Sequence, residues 1–415
     1  MSTGAAPVRA NTAPWYLHAS DSLVLYALSG NADRHSLLEL IRRADWSDVV
    51  RRSGDRMITP ALHDALHRRN LLTELDPDVA AALGVVWRAN AARNEALLEA
   101  HRGVAALLEE VRIPCIPLKG VALLESSLFR STGERMLGDI DVYIAEGDVS
   151  RALARLKHAG YRQLSNVNNP TRLFERPRWQ PIDLLDSRCR VLDAGHQLPA
   201  LLDPSGAHVI ELHYRVVDPG HPLGDWLNRR ADRLISDGAR GREPDGIPED
   251  ATFHLMHTFY HAELKDRANS LGVLDIRHLL DACRLIERLR DESSEWLDTA
   301  FETARTHGAG PSFECHYEKA RALLCARLPP VPMPSRAGAA MLADFSRRRA
   351  APGRIPWRKA FWRCVDVARY LTSSAWLRQL YGNLPAYRYP LALLRHAVHR
   401  LGLLCTSRRQ PRSGK

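Results

Sequence analysis

Between Ser36 and about Glu110 the apolar positions recur with a helical period. In LLELIRRADWSDVVRR and ANAARNEALLEAHRGVAALLEEVR they return near every 3.6 residues, among Ala, Leu, Glu and Arg, so this stretch predicts helices punctuated by Pro60, Asp76 and Pro77. The pattern breaks at Ile113. IPCIPLKG, with two prolines and a glycine, predicts a short strand running into a turn. GVALLESSLF then reads as helix, STGERMLG as a polar connection, and DIDVYIAEGD as an alternating strand. Residues 149–160 predict a helix closed by Gly160 at its C-cap, and after an Asp203-Pro204-Ser205-Gly206 turn HVIELHYRVV, 208–217, predicts a second alternating strand. Helical periodicity returns after about Asp250. Four prolines in LPPVPMPSR, Leu328 to Arg336, mark a linker, and basic amphipathic helices are expected beyond it. No fixed-period repeat or long heptad run is present. The pattern therefore divides the chain into a helical region 1–110, an α/β core 111–220, a helical domain 221–327 completing a substrate pocket, a Pro-rich linker and connection 328–345, and a basic helical tail 346–415.

Composition narrows the class without changing this picture. With 415 residues, 45% hydrophobic and 26% charged, the chain is long enough for a sizeable core and too ordinary for wholesale disorder, collagen or coiled coil. Seven scattered cysteines without a CxxC are too few for a disulfide scaffold and fit a reducing cytosol, so the expected location is cytoplasmic. The start of the chain lacks the compact basic and long apolar regions of a signal peptide, and no run of about 18 apolar residues predicts a membrane span. The net charge of +10 is unevenly placed: residues 346–415 carry 16 Lys and Arg against Asp366 alone, while the rest carries 42 bases and 47 acids. Three readings of the tail stay open: a solvated basic face, a contact with an anionic membrane at its inner face, and, less favoured, nucleic acid, since aromatic residues interleave with bases but no reader motif occurs.

The chemistry concentrates at Asp139 and Asp141. On a strand, positions i and i+2 share a face, so both carboxylates meet while Ile140 and Val142 turn to the core. Two negative charges that close call for a cation, and a hard divalent ion binds through one or two carboxylates plus substrate phosphates. Glu211, alternating with Ile210 and Leu212, offers a third carboxylate from the other strand, as a two-metal phosphoryl or nucleotidyl transfer site requires. Lys119 and Gly120 stand between strand and helix, where a lysine charge and close backbone approach suit phosphates.

Together these motifs resemble the bacterial uncharacterised nucleotidyltransferase family of the DNA polymerase beta-like superfamily. The resemblance rests on Leu118-Lys119-Gly120, Arg135 ahead of Asp139-Ile140-Asp141, and Glu211-Leu212-His213-Tyr214, and extends more loosely over about residues 37–290, through His196 to Pro199 and Ile276 to Asp281. It implies an α+β fold in which a small mixed β-sheet core is embedded in mostly helical N- and C-terminal regions. It further implies Mg2+ or Mn2+ on Asp139, Asp141 and Glu211, a nucleoside triphosphate (ATP among the candidates) held by Lys119, Gly120 and Arg135, and transfer of a nucleoside monophosphate to an unidentified acceptor. Lys119-Gly120 replaces the superfamily's usual Gly-Ser turn. The competing expectation is a catalytically silent nucleotide-binding or scaffold protein.

Supporting residues carry alternatives. Arg135 is placed either to meet a triphosphate or to brace the aspartates. His213 shares the strand face of Glu211 and suits either proton transfer or a structural hydrogen bond; His196 is similar. His254, His257 and His261 share one helical face and suit packing or a pocket lining better than a metal, because no zincin glutamate accompanies them. Arg277 and Asp281, four apart, are placed to form a salt bridge.

Overall fold

The computed structural model describes residues 18–126, 128–167, 178–182, 196–198, 200–218, 220–236, 251–265, 274–292, 295–325, 328–331 and 334–350. The amino-terminal helices are α1 (Ala19–Leu28), α2 (Arg34–Arg43), α3 (Trp46–Asp55), α4 (Thr59–Arg68) and the long α5 (Pro77–Glu109). Their starts are written in the sequence. Asp33 and Asp45 cap α2 and α3 by accepting the N–H groups of Ser36 and Asp48, and Asp76 with Pro77 opens α5.

There follow β1 (Cys115–Pro117), α6 (Lys119–Glu125), β2 (Ile140–Ile144), α7 (Val149–His158), β3 (Arg162–Val167), β4 (Arg178–Ile182), β5 (Leu201–Leu202) and β6 (Val209–His213). One sheet orders these strands β1-β2-β6-β5-β3-β4. Antiparallel register sets Leu201 opposite Ile210, Arg162 opposite Leu202 and Gln163 opposite Ile182. Every residue of β2 is buried, and in β6 Ile210 and Leu212 are buried while Glu211 is half-buried, as the alternation predicts. Gly160, at φ +91°, ends α7 in the left-handed turn that glycine adopts without strain.

The remaining helices are α8 (Pro222–Ser236), α9 (Ala251–Phe259) continuing into a π-helical turn (Tyr260–Lys265), α10 (Ile276–Glu292), α11 (Trp296–Thr306), α12 (Gly310–Leu323) and α13 (Arg336–Ala350). The architecture is α+β. The described residues form two compact units, those within 18–102, 116–141 and 220–350, and those within 103–115 and 142–218, the division falling inside β2. In the first, buried Phe259, Phe301 and Phe313 meet edge to face with centroids 5.1–5.2 Å apart.

Two expectations need correction. The stretch assigned to linker and connection, 328–345, becomes helix α13 at Arg336, because Ser335 accepts the N–H of Gly338 as an N-cap and is itself fixed by Glu314. The prolines before it are not a free spacer: Leu328 and Val331 are buried, and Pro329 accepts the Tyr317 hydroxyl. Cys283 on α10 and Cys325 after α12 form a disulfide, a pairing across 42 residues that no spacing motif announces. No described helix is long and apolar enough to cross a membrane. The tail beyond Ala350 lies outside the described residues, so its three readings stand as they were.

Candidate functional site

The connection from Ser131 to Gly138, which delivers the acidic pair, is held from beneath by α5. Asn90 donates to the carbonyls of Gly133 and Arg135 at 2.9 and 3.0 Å, and the fully buried Asn94 to those of Thr132 and Arg135 at 2.5 and 2.6 Å. Arg93 donates to the carbonyls of Leu137 and Gly138 at 2.5 and 3.0 Å. Buried loop carbonyls need donors, and a helix that offers two asparagines one turn apart supplies them. The sequence reading passed over these three residues; the signal was an asparagine pair, poor helix formers, at core-facing positions of a helix otherwise rich in Ala and Leu.

At the end of this connection Asp139 is half-buried and Asp141 is 2% exposed. The Leu118 N–H donates to the Asp141 carbonyl at 3.0 Å, tying the start of β2 to the chain leaving β1. Lys119 then takes φ +49°, a left-handed conformation that costs a non-glycine residue about 1 kcal/mol or more, and sets its ammonium 2.6 Å from Asp141 Oδ1. Burial raises the Asp139 carboxyl above its ordinary range and Asp141 raises it further, against the cations of Lys119, Arg277 and Arg135. The pair thus carries more negative charge than its burial favours, the condition in which an added cation gains most.

Gly120 makes room for the loop that follows α6. A Cβ on it would come within 2.0 Å of Arg135 Nη1 and 2.2 Å of Leu137 Cδ2. Gly120→Ala should therefore displace Arg135 and cost roughly 1–3 kcal/mol, read as a lowered midpoint of urea unfolding; an unchanged midpoint would show that the Arg135 loop yields freely.

Arg135 makes a pairing that neither expected use of it named. Its Nε and Nη2 each donate at 2.8 Å to the two oxygens of Asp281 on α10, with both side chains buried. Burial opposes its charge, but Asp281, with Asp141 and Asp139 behind it, holds the guanidinium above its usual pKa. Asp281 accordingly does not pair with Arg277. The shape of the guanidinium fork decides this, because only Arg135 presents its planar edge to the carboxylate. Arg277 reaches the Met57 sulfur and acts on Asp139 through its charge. One turn along α10, Arg284 repeats the arrangement with Glu134 at 2.8 Å.

A small cavity opens between α6, α9 with its π-turn, and α10. Lys119, Leu123, Arg135, His254, His257, Thr258, His261, His278 and Asp281 line it. The three histidines of one helical face therefore line a pocket, one of the two uses expected of them. The π-turn brings His261 Nε2 to 3.1 Å from His257 Nε2, a local widening of the helix of the kind that recurs at functional sites.

On β6, His213 Nε2 stands 3.9 Å from Glu211 Oε2. A carboxylate and an imidazole are donors that suit a divalent cation, the oxygen favouring a hard ion and the nitrogen tolerating manganese. His196, placed beside His213 with ring centroids 5.4 Å apart, makes a 2.8 Å hydrogen bond with Asp218.

A sheet strand headed by two aspartates, with a lysine turn ahead of it, is the arrangement the nucleotidyltransferase resemblance implies. The chain belongs to the uncharacterised nucleotidyltransferase family, whose model matches residues 42–324. Membership supports nucleotidyl transfer in general. Neither a curated protein nor a solved structure matches the chain.

Proposed function

We propose that the protein is a metal-dependent nucleotidyltransferase that moves a nucleoside monophosphate from a nucleoside triphosphate to an acceptor hydroxyl. The acceptor is a small metabolite, a sugar, a peptide or protein side chain, or RNA. The observation that carries this reading is the acidic pair at the head of β2, where Asp139 is raised first by burial and then by Asp141, and Asp141 is met by Lys119 at 2.6 Å. Asp139 and Asp141, with Glu211, are the groups that would hold Mg2+ or Mn2+; a bound ion supplies charge neutralisation at the transferring phosphate.

The chain's own residues do the rest. Glu211 accepts the proton of the attacking hydroxyl, whose oxygen forms its bond to the α-phosphorus as the bond from that phosphorus to the bridging oxygen breaks and pyrophosphate leaves. Lys119 turns from Asp141 to the phosphates, and Gly120 leaves room for Arg135 and Leu137 beside it. Arg135, clamped by Asp281, acts as a positioning residue that keeps the acidic loop in place.

Incubation of the full chain with each of four α-labelled triphosphates and Mg2+ or Mn2+ should release labelled nucleotide into product and pyrophosphate into solution, with candidate acceptors supplied. The Asp139→Asn/Asp141→Asn double variant should release neither. Equal release from wild type and double variant would rule out this assignment of the carboxylates, and the silent-scaffold reading predicts release from neither.

A further inference from the structure

We infer that Cys283 and Cys325 are a thiol–disulfide modification site whose redox state sets how firmly α10 holds the connection that delivers Asp139. The inference rests on the nucleotidyltransferase reading only for what that hold serves. α10 reaches the connection twice, through Asp281 to Arg135 and through Arg284 to Glu134, and Cys283 stands between these two residues on the same helix. Its partner Cys325 closes the turn after α12, donating its N–H to the Ala320 carbonyl at 3.1 Å. The crosslink therefore fastens α10 to the end of α12 at the level of both ion pairs.

A line of polar contacts runs from the Cys325 sulfur to the acidic connection. Cys325 Sγ lies 3.7 Å from Glu287 Oε1, Glu287 Oε2 accepts from Arg284 Nη1 at 3.3 Å, and Arg284 Nη2 donates to Glu134 at 2.8 Å. Glu134 is buried and adjoins Arg135 in the chain. Both redox states find partners in this packing. As a disulfide the two sulfurs satisfy one another. As thiols, Cys283 has the Ala320 carbonyl 3.6 Å from its sulfur and Cys325 has the Glu287 carboxylate, so each S–H meets an acceptor already in place. A purely structural bridge has no need of such acceptors. On reduction the Cys325 thiol competes with Arg284 for Glu287, and α10 loses its tie to the end of α12. Both changes loosen the hold on Glu134 and Arg135.

The co-reactant is a low-molecular-weight disulfide in one direction and a dithiol in the other. One cysteine thiolate attacks the small disulfide and releases a small thiol; the second cysteine displaces the other, so the protein pair gives up two electrons and two protons as the small disulfide becomes two thiols. Cys283 and Cys325 are 2% and 4% exposed, so exchange waits on local opening of the turn at Cys325 and is slow.

The full chain is equilibrated with dithiothreitol or with glutathione disulfide, the state of the pair is read by alkylation and mass spectrometry, and amide hydrogen exchange is measured on the same samples. Peptides from 131–138 should exchange about fivefold faster or more in the reduced form. The Cys283→Ser/Cys325→Ser variant keeps a donor at each position and should exchange like reduced wild type under both treatments, which separates this pair from the rest of the seven cysteines. Exchange equal within about twofold in the two wild-type forms overturns the proposal. So does a redox response that persists in the variant, or a reduced pair that glutathione disulfide fails to close again. Should the variant fold poorly, the wild-type response must rise and fall with the alkylated fraction of Cys283 and Cys325; a response that follows another cysteine overturns it. Faster exchange on reduction with no nucleotide transfer in either form would remove the enzymatic reading and keep the device. Transfer with redox-independent exchange would do the reverse.

Discussion

Asp139→Asn is expected to reduce nucleotide transfer by about 10²-fold or more while leaving the fold at neutral pH more stable than wild type. The activity loss follows from removing one of the carboxylates that would hold the divalent cation, whose charge neutralisation at the transferring phosphate goes with it, an electrostatic effect of about 10²–10³. The stability gain follows from the direction of its pKa. Burial and Asp141 raise the Asp139 carboxyl in the folded state, so ionising it there costs more than in the unfolded chain. For an acid raised on folding, the penalty is absent below the ordinary value of 3.8, grows as pH rises through that value, and is complete above the folded-state pKa. Asparagine avoids the penalty, so its advantage in urea unfolding should appear at neutral pH without divalent ions and vanish below pH 3.8. Asp141→Asn is expected to behave oppositely in stability, because Asp141 is buried and its carboxylate receives Lys119 at 2.6 Å. Two asparagine variants with equal activity loss and opposite stability shifts would identify a pair held together for function; equal destabilisation by both would show Asp139 to be an ordinary structural acid.

The parts legible in the sequence are those governed by local period. Strand alternation put Ile140 and Val142 in the core, and both are fully buried. Helical period put His254, His257 and His261 on one face, although it could not foresee the π-turn that draws the last two together. Lys119-Gly120 was legible as a turn. What Gly120 makes room for was not, because Arg135 and Leu137 return to it from a separate loop. Asn90, Arg93 and Asn94 act on carbonyls about 40 residues away in the chain, where periodicity carries no information. The pairing of Asp281 failed for the same reason: Arg277 is four residues off and Arg135 is 146, yet the planar fork of Arg135 matches the carboxylate.

That long-range pair sets the second large effect. Asp281→Asn is expected to destabilise the protein by about 3–5 kcal/mol, since it leaves a buried guanidinium without its counter-charge. Arg135→Met leaves the Asp281 carboxylate buried and should cost a similar amount. The double variant Arg135→Met/Asp281→Leu removes both charges together, so much of the lost stability should return, because desolvating a buried ion pair offsets much of its attraction. Transfer should not return with it. The loop between Gly133 and Gly138 would keep its carbonyl contacts to Asn90, Asn94 and Arg93, but Asp139 and Asp141 would lose the positive charge standing behind them. Urea unfolding and kcat measured on all three variants separate the two roles. Recovery of kcat alongside stability in the double variant would reduce Arg135 to a replaceable packing element. Recovery of stability alone would mark the Arg135–Asp281 clamp as the device that fixes the charge and position of the acidic loop.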